Sequence, residues 1–190
     1  MSTITATPAA LADLTGSWTI DPTHSRVGFV ARHAMVTKVR GAFNDFEGRA
    51  VVDGADLSGS RVNLFIQAAS IDTRNEQRDE HLRSNDFFDM EQYPQITFAS
   101  TSVTQTGPAA LEITGELTVK GITRAVSVPF DFEGMAADPF GNQRAGFEGA
   151  VTINRRDYGV TWNAALETGG VLVSDKIVLE FEISAIKTAD

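Results

Sequence analysis

The 190-residue chain contains no cysteine. That excludes disulfide staples, thiolate nucleophiles and thiolate-bound metals together. Positive charge is in short supply, with 16 Lys and Arg against 25 Asp and Glu and a net charge of −9. Such a balance argues against nucleic acid or an anionic membrane surface as partner, since both reward clustered cations. No long basic run interrupts the pattern. No stretch approaches the ~20 apolar residues of a membrane-spanning helix. The first fourteen residues carry no basic side chain and no apolar core of the about 7–15 residues found in secretion signals, so a cytoplasmic location is expected. Tryptophan and tyrosine number only two each, against 12 phenylalanines.

What the chain does have is alternation. Ile177, Leu179, Phe181, Ile183 and Ala185 alternate with Lys176, Val178, Glu180, Glu182 and Ser184. A period of two marks a strand with one face in a core and the other in water. The pattern returns in Val27–Phe29–Ala31, Val62–Leu64–Ile66–Ala68, Leu111–Ile113–Gly115–Leu117–Val119, Val126–Val128–Phe130–Phe132 and Phe147–Gly149–Val151–Ile153. Most strand phenylalanines share this face; Phe65 falls out of phase.

The length suits one domain, here residues 16–190, preceded by a small, polar and flexible tail over residues 1–15. About eight or nine strands are expected, with a strand pair over Lys38–Phe43 and Phe46–Val52 turned at Asn44-Asp45, because Asn and Asp tolerate tight-turn dihedrals. Lys120-Gly121 reads as another hairpin turn. The one helical stretch, Asn75–Ser84, is short and highly charged and reads as a surface helix in a crossover. It leads to Phe87 and Phe88, which are placed to plug one end of the core. Regularly spaced strands with turn signals indicate a sandwich or barrel, and closure removes reactive edges. An eight-stranded antiparallel barrel is either just filled by side chains or holds one small ligand.

Catalytic patterns are thin. His24 and His33 flank one strand, nine residues apart, an odd spacing that sets residues of a regular strand on opposite faces. With His81 in the charged helix, no set of three or four convergent metal ligands is expected. No nucleophile-elbow motif marks a serine, nothing separates the carboxylate pairs Asp79-Glu80, Asp86 with Asp89, or Asp131 with Glu133 from a solvated acidic face, and no phosphate loop is present. Arg155-Arg156 follow a strand end. They could hold an anionic head group, or pair with the abundant surface carboxylates.

Four blocks, in order, resemble one family. They are Trp18-Thr19-Ile20-Asp21-Pro22-Thr23-His24-Ser25-Arg26-Val27-Gly28-Phe29, then His81 through Asp89 with Tyr93-Pro94-Gln95-Ile96-Thr97-Phe98, then Gly115 through Arg124, and Phe147-Glu148-Gly149 through Ile153-Asn154-Arg155-Arg156-Asp157-Tyr158-Gly159-Val160. Together they resemble the YceI-like family over about residues 17–187. The resemblance implies an all-β, extended lipocalin-like antiparallel β-barrel of about eight strands with one short helix in a crossover. It also implies binding of polyisoprenoids or similar long-chain amphiphiles in an apolar tunnel, commonly as a homodimer. Many members carry an export leader, and this chain departs from them in showing none.

The expected function is therefore non-enzymatic binding or transport of a long-chain isoprenoid or fatty lipid, without a cofactor. Strand phase nominates Phe29, Phe43, Phe46, Leu64, Ile66, Phe98, Leu117, Val128, Phe130, Phe147, Ile153, Trp162 and Phe181 as lining. Arg155, Arg156, His24 and His33 are nominated for the head group. Transfer from water provides roughly 0.8 kcal/mol per buried CH₂, of order 15 kcal/mol for about twenty carbons before ordering costs. Two rivals stand beside this reading. One is an enzyme acting on a held isoprenoid, with His33 as the titratable group entering the cavity. The other is a filled structural or stress-related barrel, with no cavity beyond roughly 300 Å³.

Overall fold

The computed structural model describes residues 10–189. Its strands are β1 (Gly16–Ile20), β2 (Arg26–His33), β3 (Thr37–Phe43), β4 (Phe46–Val52), β5 (Arg61–Gln67), β6 (Ile71–Asp72), β7 (Gln95–Gly107), β8 (Ala110–Val119), β9 (Ile122–Ala137), β10 (Gln143–Asn154) and β11 (Lys176–Ala189). The single α-helix, α1 (Glu76–Arg83), lies between β6 and β7. Eight strands close into a ring in the order β1-β4-β5-β7-β8-β9-β10-β11, with β11 returning to β1. Every ladder is antiparallel. The fold is the lipocalin-like closed barrel that the alternation and the sequence resemblance imply.

Three further strands continue ring strands past a common bend. β1 runs into β2 through residues 21–25, β3 into β4 through residues 44–45, and β5 into β6 through Ala68–Ser70. Thr19 faces Arg49 below the bend and Val27 faces Phe43 above it. Eight residues of one arm thus match six of the other, a slip of two. The pairs Phe46–Ile66 and Phe43–Ile71 show the same slip between β4–β5 and β3–β6. Asn44-Asp45 is therefore a bend inside a long arm and not the expected hairpin turn. Its polar groups brace the neighbouring bend: the Asn44 N–H donates to the Ser70 carbonyl, and the Asp45 carbonyl accepts from the Gln67 N–H. The true hairpin turn lies at Ala34-Met35, with φ of 49° and 66°. That left-handed geometry normally selects Asn or Gly, so the sequence carried no turn signal there. Lys120-Gly121 does turn β8 into β9.

Above the last β5–β7 pair, Gln67 with Gln95, the wall is completed by α1 and residues 84–94. Polar staples fasten the helix. Asn75 caps it through the Arg78 N–H, and the buried Asp79 accepts from both the Thr73 N–H and its hydroxyl at 2.9 and 2.6 Å. Arg83 donates to the Ala69 and Ile71 carbonyls. Leu82, Phe87 and Phe88 turn inward.

The opposite end is plugged. Part of the segment expected as tail is a 3₁₀ turn, Leu11–Leu14, whose two leucines are buried against Trp18, Val103 and Leu111. The Trp18 indole N–H donates to the Leu14 carbonyl at 2.8 Å. The Leu-x-x-Leu spacing before Trp18 is the signal that sequence reading passed over. Residues 1–9 of the expected tail lie outside the described residues.

Candidate functional site

The alternating strand faces enclose a cavity of about 290 Å³ running through the ring. Its lining reaches from Leu11 and Leu14 at the plug to Leu82, Phe87 and Phe88 at the helix end. Along β11 it extends from Ile177 to Ala185, roughly 26 Å of extended chain. The site is long, narrow and almost wholly hydrocarbon.

Glycines keep it open. Phe29 lies over Gly41 so closely that a Cβ there would collide with the ring. Phe98 covers Gly115, and Phe130 covers Gly149. Each ring lies along the wall because its neighbour lacks a side chain, and the lumen beside it stays free. Inward-facing Phe98, Phe130, Leu179 and Phe181 are only half-buried, as expected of side chains that face an open lumen. Phe130 and Phe181 meet at a centroid distance of 5.8 Å, a packing favourable to aromatic pairs.

Eleven of the thirteen nominated lining residues border this cavity; Phe46 and Trp162 do not. Phe46 is buried in the core at the level of the bend. Trp162 instead covers the helix end, where its ring lies 4.7 Å from His81 and 5.3 Å from Phe87. Trp162 lies in chain outside any strand, where a period of two no longer assigns a face; Phe46 keeps its strand phase opposite Ile66 but is buried in the core at the start of β4.

The four nominated head-group residues are not brought together. Arg155 borders the cavity but is 5% exposed and already committed. Its guanidinium donates to the carbonyls of Ser174, Val160, Trp162 and Val173 at 2.8–3.3 Å. It clamps the segments on either side of the 163–173 loop. Burial lowers its pKa from the ordinary arginine value, opposed by the nearby Asp175. Arg156 takes the surface alternative, an ion pair with Asp175 at 2.9 Å. His24 is exposed and bound to Asp21 at 2.7 Å. His33 ends β2 as an exposed residue, bridges to Val173 and does not border the cavity, which removes the geometry that the enzyme reading required.

Sequence reasoning missed Tyr158. It is 2% exposed and borders the cavity, and its hydroxyl, which makes no hydrogen bond among the described residues, is not a buried orphan. Burial, helped by the charge of Asp157, raises its pKa, so the phenol stays protonated and available as a donor.

A family model described as the YceI-like domain matches residues 18–185, nearly the whole barrel. The chain belongs to the YceI-like family. UPF0312 protein SA2479 of Staphylococcus aureus (strain N315) is 39% identical over 170 residues, spanning 89% of this chain and 95% of that protein. Among solved structures, Burkholderia cenocepacia BcnA matches at a TM-score of 0.76 and 27% identity, over 87% of this chain and 98% of that one. A polyisoprenoid binding domain from Saccharophagus degradans, implicated in plant cell wall breakdown, matches at a TM-score of 0.69 and 14% identity, over 90% of this chain and 98% of its own. That last likeness is one of fold. The YceI-like match begins at Trp18, so the Leu11–Leu14 plug lies just outside it.

Proposed function

We propose that the barrel binds one long apolar chain, of isoprenoid or fatty character, laid along its axis, and shields it from water in transit. The observation that carries this reading is the continuous hydrocarbon lumen between the Leu11–Leu14 plug and the Phe87–Phe88 end. A cavity of ~150 Å³ accommodates benzene, so 290 Å³ has room for on the order of a dozen carbons rather than twenty. At about 0.8 kcal/mol per CH₂ the gross gain is roughly 10 kcal/mol, reduced by ordering costs. The volume, about 290 Å³, does not exceed the roughly 300 Å³ that marks the filled-barrel rival, so volume alone does not separate the two readings; the lining along β11 from Ile177 to Ala185 is what favours a slender guest. Among the lining residues, Tyr158 is a buried phenol with no hydrogen bond to the described residues, and we assign it to the polar end of the guest.

The test is native mass spectrometry of the gently purified protein, followed by lipid extraction. A discrete adduct in the lipid mass range supports the reading and identifies the cargo. A bare mass, with no uptake of added prenyl alcohols, overturns it. The same spectrum reads the subunit count, for which the family resemblance sets the expectation at two.

A further inference from the structure

The whole-chain charge argues against an anionic surface, but the charge is unevenly spread. From Pro22 to Asn44 the chain carries Arg26, Arg32, Lys38 and Arg40 and no Asp or Glu. This segment holds the β2–β3 hairpin, whose turn lies past Val30 with Val178, the outermost β2–β11 pair. Arg26 pairs with Glu180. Arg32, Lys38 and Arg40 are exposed and form no ion pair among the described residues. Arg32 and Lys38 face each other across the ladder.

The tip between these cations is apolar. Met35 is 62% exposed and Val36 is 73% exposed. Val171 is exposed on the adjoining loop, so three of the six exposed large hydrophobics lie here. The loop braces the tip: the Ala34 N–H donates to the Leu172 carbonyl at 2.8 Å, and the Met35 sulfur rests against Gly170. Glu167 is the one acid of that loop. The turn also holds Ala34 and Met35 at positive φ, a strained choice where Asn-Gly would be relaxed. A purely structural turn gains nothing from Met35 in that position, whereas a turn that inserts needs it. Ala31 and Val173, just behind the tip, border the cavity.

We propose that the β2–β3 tip docks on an anionic lipid bilayer, with Met35 and Val36 entering the headgroup–acyl boundary and Arg32, Lys38 and Arg40 meeting lipid phosphates. Apolar insertion beside cations is the physical basis of interfacial binding. Docking places the helix end of the cavity at the membrane; this inference rests on the cargo reading for its purpose but not for its geometry.

The test is co-sedimentation of the full chain with vesicles of phosphatidylcholine alone and of phosphatidylcholine mixed with phosphatidylglycerol. Expected are binding to the mixed vesicles only, weakening with added salt, and at least about a tenfold loss in Met35→Ser/Val36→Ser. Ala34→Asn/Met35→Gly, which relaxes the turn, should lose binding while melting at a higher temperature. Val51→Ser, at an exposed valine on β4, should bind like the parent. Equal binding by parent and tip variants overturns the proposal, as does binding that ignores lipid charge. A tip variant that changes the subunit count and leaves vesicle binding intact also overturns it, assigning the tip to a second copy. Uptake of a prenyl alcohol from detergent micelles separates the two readings. Uptake without vesicle binding removes docking and leaves the cargo; vesicle binding without uptake does the reverse.

Discussion

The ring of Phe130 lies against Gly149 on the neighbouring strand, where an added Cβ would come within 2.6 Å of it. The two residues are direct partners in the β9–β10 ladder. A side chain at residue 149 would push the ring off the wall and into the lumen. The added Cβ would also meet the Pro129 carbonyl oxygen at 2.7 Å, so Gly149→Val, although valine favours strands, is expected to fold with reduced stability and to lose most of its uptake of a long apolar chain. Titration with a fluorescent fatty acid or prenyl analogue checks this. Unchanged affinity would mean that the ring position does not set the width of the cavity.

Tyr158→Phe removes the uncommitted hydroxyl and keeps the ring. Its stability should change little, because no hydrogen bond within the described residues is lost. Affinity for an alcohol-terminated chain should fall about tenfold, the scale of one hydrogen bond of roughly 1–1.5 kcal/mol, while affinity for the matching hydrocarbon stays constant. Isothermal titration with the two ligands reads the difference.

Arg155→Ala removes a donor from four carbonyls, of which Val173 keeps the Asn163 amide. Chemical denaturation should show a loss of about 2–4 kcal/mol, typical of breaking a buried polar network. Arg155→Lys should recover only part of it, since an ammonium cannot reproduce the planar fork of donors. A head-group role would instead spare stability and affect only ligand affinity.

Asp21 and Asp138 share Arg144, at 2.7 and 2.8 Å. The Arg144 guanidinium, aided by Thr23 and His24, holds the Asp21 carboxyl well below the usual carboxylate range. At Asp138 burial pulls upward, but donors from Asn142, Arg144 and the Phe140 N–H outweigh it and the carboxyl is again depressed. A carboxyl that titrates lower when folded than when unfolded contributes fully above its unfolded pKa, about 4. The contribution is lost as pH falls further toward the folded value. Melting temperature should therefore decline as pH drops below about 4, and Asp21→Asn should both lower it at neutral pH and flatten that acid slope. An unaltered slope would show that this triad does not govern acid stability.

Much of the barrel was legible in the sequence because a period of two assigns faces wherever the ladder is regular. Phe29, Phe130, Phe147 and Phe181 sit on the lumen for that reason. The reading weakened where backbone geometry leaves the ladder. Trp162 lies in irregular chain, and Asn44-Asp45 has turn chemistry but serves a bend. Ala34-Met35 turns without any turn residue. Arg155 shows a different limit: adjacency to Arg156 says nothing about burial, and one of the pair is a buried clamp while the other is a surface ion-pair partner. Tyr158 was invisible because the signal is burial beside the cavity, a property of three-dimensional surroundings.

The bend shared by residues 21–25, 44–45 and Ala68–Ser70 divides the work of the wall. Below it each strand is held by ladders on both sides, so widening the ring means breaking two at once. Above it β2, β3 and β6 end in a two-residue strand paired on one side, with α1 beyond. On the proposed reading, a guest is expected to gain admission through the compliant part and to be gripped by the stiff part. Substitutions at residues 44–45 should change how fast a chain goes in and out, and leave the equilibrium constant nearly alone. Such a wall would keep the kinetics of loading separate from the thermodynamics of holding.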